Sequence, residues 1–338
     1  MSYQSRIIFS FITALILLIM FLSCKEDDQS NLTDSTFQEI PDSTIQGVPE
    51  INEIVSAVNL DTLKNFVRCL SGDKSVKVDG IDQLIETRYA ELPGNETAAR
   101  YISSTLWRYG YLYDIYNPYG NCKDIIAVKK GTTYSDTYIV IGAHYDDMPR
   151  IGLAPGADDN ASGVSVVLEA ARIFSRCQTK YSIIFALWDG EETSTPSGSL
   201  CYATMLKDNE TKILETLNID MIGWDSDNDG AVMVYRTNQN ETININNTID
   251  SINRIYSLNL RPNFMNTTCL SDDRSFALNG FNTINFIEKF LNSFSDPDND
   301  FNPYWHKNND TIDKFNESYF YRCSKLVIAT LAYLSVVE

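Results

Sequence analysis

The sequence predicts an α/β domain in which helices cover a central sheet, because strand-like and helical patterns alternate along it. Residues 137–143 and 181–190 contain nearly continuous Val, Ile, Leu and Phe, which is typical of strands buried on both faces. Between these runs, residues 163–176 carry apolar side chains at helical spacing. A third, less regular strand-like run covers residues 213–219. Strands and helices in this order indicate the α/β class.

Polar side chains follow each of the three predicted strands. His144 comes directly after the first run, Glu191 and Glu192 directly after the second, and Asp220 directly after the third. In open α/β sheets, ligands bind beyond the carboxyl ends of the strands. Scattered surface acids would not fall in this register, so we expect a binding site at that edge of the sheet.

The chain contains only two histidines, and both lie close in sequence to carboxylates. His144 is followed by Asp146 and Asp147, and His306 lies four residues before Asp310. A single histidine is most often a hydrogen-bonded structural residue. A neutral imidazole beside carboxylates is also a suitable ligand set for a divalent first-row metal. The acidic clusters around both histidines favour a metal site.

A glycine-bounded loop at 155–163 leads into the predicted helix and contains Asp158, Asp159 and Asn160 in succession. Asp and Asn are preferred at helix N-termini, so this loop could simply cap the helix. Its position between two strands that end in polar clusters favours a contribution to the binding site.

The N-terminus has the composition of an export signal. Arg6 precedes a mostly apolar run at 7–22, which is shorter than the roughly 20 residues of a spanning helix. The small residue before Cys24 is similar to the processing site of bacterial lipoproteins. We therefore predict a signal peptide at 1–23 and an acylated cysteine with a flexible tether at 24–47. The alternative is a cleaved signal beside an incidental cysteine.

These assignments leave residues 48–338 as a single predicted domain. A lipoprotein of this kind is expected at the bacterial outer membrane or cell surface, with the periplasm as the alternative. The net charge of −18 argues against a nucleic-acid partner, because a phosphate-binding surface needs clustered Lys and Arg. Six cysteines follow Cys24, and both disulfides and buried thiols are compatible with their spacing.

Five motifs in order resemble those of the di-zinc aminopeptidases of metallopeptidase clan MH. The motifs are His144-Tyr-Asp146, Gly156-Ala-Asp-Asp-Asn160, Asp189-Gly-Glu191-Glu192, Asn218-Ile-Asp220-Met221 and Trp305-His306. Each motif is weak alone, but five in family order cover most of the mature chain. The resemblance implies a three-layer sandwich with a central mixed, mostly parallel β-sheet.

The resemblance also implies two Zn²⁺ ions per chain and peptide substrates. His144 and Asp220 would bind one zinc ion, Glu192 and His306 would bind the other, and Asp158 would bridge both. Three protein ligands for each ion leave room for water and substrate.

The same resemblance implies roles for two further residues. Glu191 would act as the general base that takes a proton from the attacking water. Asp146 would orient the imidazole of His144 from behind the metal. The expected activity is removal of N-terminal residues from peptides, which makes the chain a metallo-aminopeptidase.

One position departs from the family pattern and leaves room for other functions. Asp273 stands where the family often has a histidine, which puts substrate positioning near it in doubt. Glutaminyl cyclases share the fold and the Trp-His pair, although they keep that histidine and lack the Asp-Asp-Asn loop. A catalytically inactive binding homologue is the third possibility, but such proteins usually lose metal ligands.

Two other segments have alternative interpretations. Residues 225–230 copy the start of a calcium-binding loop but lack its final glutamate, so we predict an acidic turn between strands. Phe301, Tyr304 and Trp305 either line a specificity pocket or pack beneath their own loop.

Overall fold

The computed structural model describes residues 49–120, 122–149, 152–193, 196–237, 245–291 and 296–336. The predicted signal peptide at 1–23 and the predicted acylated cysteine and tether at 24–47 lie outside these residues. All of the described residues fall within one compact unit. Among them, no helix is both long enough and apolar enough to cross a membrane.

Most of the strands form one eight-stranded mixed sheet. The strands of the described residues are β1 (Val76–Val78), β2 (Ile81–Gln83), β3 (Tyr113–Tyr116), β4 (Asp124–Lys129), β5 (Tyr134–His144), β6 (Tyr181–Trp188), β7 (Lys212–Ile219), β8 (Ala231–Thr237), β9 (Arg261–Met265) and β10 (Thr283–Ile287). The order in the large sheet is β3-β4-β6-β5-β7-β10-β8-β9, and β1 and β2 pair separately.

The centre of the large sheet is parallel. Strands β6, β5, β7 and β10 are parallel neighbours, whereas β3, β4 and β8 pair antiparallel with the adjacent strand on the side nearer the centre. The three strand-like runs of the sequence are β5, β6 and β7. The predicted mixed, mostly parallel sheet is therefore confirmed.

Helices cover both faces of this sheet. They are α1 (Pro49–Ser56), α2 (Leu60–Leu70), α3 (Pro93–Arg108), α4 (Gly163–Phe174), α5 (Gly198–Asp208), α6 (Ile245–Ile255), α7 (Asp272–Leu278) and α8 (Glu317–Val336). Helix α4 begins at the predicted residue and ends two residues before the predicted end.

Alternate residues of the central strands pack against different helical layers. Ile139 and Ile141 of β5 belong to the larger core, which also contains α4 and α8. Val140 of β5 and Ile184 of β6 belong to a second core with residues of α5 and α7. Because successive side chains of a strand point to opposite faces, this division produces the three-layer arrangement.

The acidic segment at 225–230 lies in the connection between β7 and β8, as the sequence predicts. Cationic side chains compensate its charge. Nζ of Lys289 is 3.7 Å from Asp227 and 3.2 Å from Asp229, and Arg261 also pairs with Asp229. The segment is therefore an acidic turn stabilised by ion pairs.

The six cysteines that follow Cys24 all lie in the described part of the chain, and no disulfide joins any of them. They are Cys69, Cys122, Cys177, Cys201, Cys269 and Cys323. All except Cys177 are buried. Of the two states compatible with the sequence, the structure has the buried thiols.

Candidate metal centre

Three neighbouring parallel strands end at the candidate site. His144 is the last residue of β5, Asp220 directly follows β7, and Glu191 and Glu192 follow β6 after a short turn. Because these strands are parallel neighbours, their carboxyl ends lie at the same edge of the sheet. The structure therefore brings together the polar residues that the sequence places after the three strands.

Asp159 lies between the two histidines and faces both of them. Its Oδ1 atom is 3.5 Å from Nε2 of His144, and its Oδ2 atom is 3.2 Å from Nε2 of His306. One carboxylate thus spans the two imidazoles, although the histidines are far apart in sequence. Both histidines belong to a single site.

Each histidine also lies near a second carboxylate. Nε2 of His144 is 3.4 Å from Oδ1 of Asp220, and Nε2 of His306 is 2.9 Å from Oε1 of Glu192. The ligand atoms of His144, Asp159 and Asp220 lie within 4.8 Å of one another. The same limit holds for Asp159, Glu192 and His306. The geometry therefore contains two three-residue groups that share Asp159.

The structure corrects the assignment of Asp158, which does not occupy the shared position between the histidines. Its Oδ1 accepts a hydrogen bond from the backbone N–H of Gly223, and its Oδ2 accepts one from Nδ2 of Asn302, each at 2.8 Å. Asp158 thus joins two neighbouring loops, while Asp159 faces the histidines. Nothing local in the Asp-Asp-Asn sequence distinguishes the two carboxylates.

The loop that carries Asp159 is held from both sides. Oδ2 of Asp310 accepts the backbone N–H of Asp159 at 3.1 Å. Asn160 accepts the N–H of Gly163 at 2.9 Å and donates its Nδ2 to the carbonyl of Ile219 at 2.8 Å. The capping role considered for this loop therefore falls to Asn160, which leaves Asp159 available to the site.

Asp146 organises the turn that carries the two glutamates. Its Oδ1 accepts the N–H of Glu191 at 3.2 Å, and its Oδ2 accepts the N–H of Glu192 at 3.1 Å. Nδ1 of His144 contacts the backbone carbonyl of Asp146 at 3.2 Å, while the carboxylate is 3.6 Å away. The carboxylate of Asp146 is thus near the His144 imidazole, but the main-chain carbonyl of Asp146 makes the closer contact.

The concentration of buried carboxylates shifts the protonation of the site. Burial raises the pKa of the Glu191 and Glu192 carboxyls well above the usual value. Burial acts to lower the pKa of His144, but the surrounding carboxylates raise it well above its usual value. Burial acts to raise the pKa of Asp159, and the two histidines lower it. The carboxylates of the site outnumber the positively charged groups among them, and a bound cation would relieve their mutual repulsion.

Glu288 is a buried carboxylate beside Asp158 that the sequence interpretation missed. It directly follows β10, the parallel neighbour of β7, and is fully buried. Its two carboxylate oxygens accept the N–H groups of Asn302 at 2.7 Å and Trp224 at 3.0 Å. The reasoning that located Asp220 applies to Glu288 as well, since both follow a buried strand of the same sheet.

A cavity of about 170 Å³ opens onto the site. On one side it meets the two three-residue groups and Glu191. The apolar residues on its other walls include Met221, Ile287, Phe290, Phe301 and Trp305. Trp305 stacks on His306 with ring centroids 3.7 Å apart. Phe301 and Trp305 thus line the cavity, whereas Tyr304 packs edge-on against Trp224.

The residues around Asp159 fit a pair of divalent cations. Oδ2 of Asp159 is buried and has no hydrogen-bond partner among the described residues, although it faces His306. An unsatisfied buried oxygen is costly, and a cation between the two side chains would satisfy it. Imidazole nitrogen and carboxylate oxygen are ligands that suit zinc.

Known proteins that are similar to this chain include aminopeptidases and a glutaminyl cyclase. Aminopeptidase YwaD of Bacillus subtilis is 29% identical over 214 residues, which are 62% of this chain and 44% of that protein. The crystal structure of the LapA aminopeptidase of Legionella pneumophila has a TM-score of 0.69, with 21% identity over 93% of this chain and 78% of that chain. A glutaminyl cyclase of Bacteroides thetaiotaomicron has a TM-score of 0.62, with 19% identity over 81% and 97%.

The two solved structures establish the fold alone, because their sequence identity is low. This chain spans less than half the length of the curated relatives that it matches. The model of peptidase family M28 matches residues 124–331, which include all the residues that converge on Asp159. The chain belongs to peptidase family M28.

Proposed function

We propose that this chain is a zinc-dependent aminopeptidase that hydrolyses the first peptide bond of peptides with a free N-terminus. The observation that carries the proposal is the position of Asp159, whose two carboxylate oxygens face His144 and His306 separately. A shared carboxylate of this kind is the feature that a two-cation site needs.

The proposed ligands form two sets around Asp159. His144 and Asp220 would hold one cation, and Glu192 and His306 would hold the other, with Asp159 common to both. When bound, two zinc ions polarise a carbonyl and lower the pKa of a nearby water. The remaining chemistry belongs to side chains of this chain.

Glu191 is the proposed proton carrier. It lies within 4.8 Å of ligand atoms of His144 and Glu192 and lines the cavity. Burial raises the pKa of its carboxyl well above the usual value, which favours proton uptake. Glu191 accepts a proton from water as the water oxygen bonds to the scissile carbonyl carbon. It returns the proton to the amine nitrogen as the C–N bond breaks.

The charge of the cavity supports cleavage next to a free amino group. Four carboxylates line one side of it, those of Asp159, Glu191, Glu192 and Asp220. Three of them are proposed cation ligands, so the attraction for a protonated N-terminus would come mainly from Glu191. A free amino nitrogen could also bind one of the cations, as a blocked N-terminus could not. The apolar walls would contact the first side chain of the substrate.

A panel of peptides tests the proposed function. Leucyl and alanyl anilides and a short peptide are incubated with the protein, with and without a chelator, and products are identified by mass. We expect release of the first amino acid, loss of release with the chelator, and recovery when zinc is restored. The N-acetylated form of the same peptide is the matched control and should remain intact. Cleavage of the acetylated peptide at the same rate would contradict an aminopeptidase.

Glutaminyl cyclisation is the alternative, and the similarity to the Bacteroides thetaiotaomicron cyclase fold favours its test. The stacked pair of Trp305 and His306 is compatible with either enzyme. The complete two-group arrangement around Asp159 favours the peptidase and also disfavours a binding homologue without activity. A peptide that begins with Gln separates the two enzymes, because cyclisation loses ammonia and hydrolysis frees glutamine.

We also propose that the chain is exported and anchored through an acylated Cys24. The support is the apolar run at 7–22 and the small residue before Cys24. Mass spectrometry of the N-terminal peptide should find an acyl group on Cys24 in the wild type, whereas Cys24→Ser should release the protein from the membrane fraction. An unmodified mature N-terminus elsewhere would contradict this.

A further inference from the structure

A tight turn at Cys269–Ser271 forms one wall of the cavity and precedes helix α7. Cys269, Leu270 and Ser271 all line the cavity. Cys269 and Ser271 are buried, whereas Leu270 is 53% exposed. The apolar side chain of Leu270 is therefore partly exposed to solvent at the cavity.

The backbone of Leu270 is in an uncommon conformation. Its φ is +68°, in the left-handed region that branched apolar residues rarely occupy. Glycine would adopt this conformation without steric cost. The turn must therefore be held by contacts other than the preference of Leu270 itself.

Asp273 provides those contacts. Its side chain is fully buried, and its Oδ2 accepts the N–H of Cys269 at 2.8 Å. Its Oδ1 accepts the N–H of Ser271 at 3.2 Å. The two bonds lie on either side of Leu270, so that one carboxylate fixes the backbone before and after the left-handed residue.

The turn is also tied to the sheet that carries the metal ligands. Nδ2 of Asn218 donates to Oγ of Ser271 at 3.2 Å, and Asn218 lies in β7, two residues before Asp220. The wall formed by the turn therefore has a fixed position relative to the proposed ligands.

We propose that Leu270 is a specificity-determining residue and that Asp273 is the positioning residue that holds it. Leu270 contacts the first side chain of the substrate in the cavity that Phe301 and Trp305 also line, and it favours large apolar side chains over small ones. Asp273 acts only through the turn. This inference rests on the proposed aminopeptidase function.

The chemistry of Asp273 accounts for the residue type. An ionised carboxylate presents two acceptor oxygens, whereas the asparagine amide presents one acceptor and two donors. Asp273→Asn should keep one of the two bonds and Asp273→Ala should keep neither. A graded effect is therefore expected, with the asparagine variant between the wild type and the alanine variant.

The test compares leucyl and alanyl anilides, with kcat and KM measured separately for each variant. Leu270→Gly removes the side chain and also fits the left-handed backbone. We expect it to raise KM for the leucyl substrate about tenfold, the lower end of the range for a lost apolar contact. The alanyl substrate and the zinc content should be nearly unchanged. Leu278→Ala is the matched control, since Leu278 is an exposed leucine of α7 that does not line the cavity.

Asp273 is tested in two backgrounds. In the wild type, Asp273→Ala should reduce the leucyl preference as Leu270→Gly does, and Asp273→Asn should reduce it less. In the Leu270→Gly background, Asp273→Ala should leave the preference where it is, because no side chain remains to be positioned. An independent further loss in that background would overturn the positioning role. If Asp273→Ala does not fold, Asp273→Asn is measured in the wild type and in the Leu270→Gly background instead. A smaller leucyl preference in the first background only would support the positioning role.

Failure of this inference differs from failure of the proposed function. A wild-type protein that releases no amino acid from either anilide overturns both. An active wild type whose leucyl preference is unchanged by Leu270→Gly overturns the inference alone. Equal losses for both substrates with loss of zinc in Asp273→Ala would assign Asp273 to the metal site instead.

Discussion

Arg88 and Asp147 form an ion pair from which solvent is excluded. Nη1 of Arg88 is 3.7 Å from Oδ2 of Asp147, the two side chains are 0% and 1% exposed, and the backbone N–H of Arg88 donates to the same oxygen at 2.6 Å. The guanidinium also donates to backbone carbonyls, those of Leu70, Tyr145, Pro155 and Gly156. Arg88 thus connects the segment after His144 to the loop that carries Asp159.

Removal of Arg88 should strongly destabilise the protein. Arg88→Met leaves Asp147 buried without its partner and leaves several carbonyl groups without a donor. Loss of one partner of a buried pair costs about 3–5 kcal/mol, which we expect as the fall in the free energy of unfolding in urea. Arg100→Met is the control, because Arg100 pairs with Asp79 and Glu96 in solvent. Its effect on the free energy of unfolding should be much smaller than that of Arg88→Met, because exposed ion pairs contribute little. Similar losses for both variants would mean that burial of the pair has no consequence.

Glu191 should be needed for turnover but not for metal binding. Glu191→Ala removes the proposed proton carrier and leaves both three-residue groups around Asp159 intact. We expect kcat to fall by about 10²–10⁴-fold, the usual contribution of a general base. Elemental analysis of the purified variant should find the zinc content of the wild type. Full activity in Glu191→Ala would remove the general-base assignment.

The metal content of three variants should show whether Asp159 or its neighbour Asp158 is the ligand shared by the two ions. Asp159→Asn changes the carboxylate shared by both groups, so both ions should bind weakly. His306→Ala changes one group and should lose one ion. Asp158→Asn keeps a carbonyl oxygen for the N–H of Gly223 and should retain both ions. The number of zinc ions per chain is measured after dialysis. Loss of both ions in Asp158→Asn alone would restore the assignment made from the sequence.

The sequence predicted the strands that can be recognised from a short run of neighbouring residues. Strands β5, β6 and β7 are long apolar runs, and the polar residues after them converge because parallel strands end at one edge. The sequence could not decide between Asp158 and Asp159, because the choice depends on which way an irregular loop turns. The structural role of Arg88 could not be predicted from the sequence, because its partners lie in three separate segments that only the folded chain brings together.

Glu215 should make the stability of the protein fall as pH rises through neutrality. It lies in β7 and is 5% exposed, and burial raises its pKa from 4.5 to about 8. Opposing effects of the Thr216 N–H and of Arg236 are smaller. Between these two pH values the folded state retains a proton that the unfolded state releases. The contribution of Glu215 is therefore fully present below pH 4.5 and is lost as pH approaches about 8.

The measurement compares wild type and Glu215→Gln at several pH values with zinc present throughout. The amide cannot ionise, so its stability relative to the wild type should increase with pH. The slope should be at most about 1.4 kcal/mol per pH unit, the value for one proton. The same substitution at Glu86, an exposed glutamate, controls for the general effect of removing a charge. A difference between wild type and Glu215→Gln that does not change with pH would show that folding does not raise the pKa of Glu215.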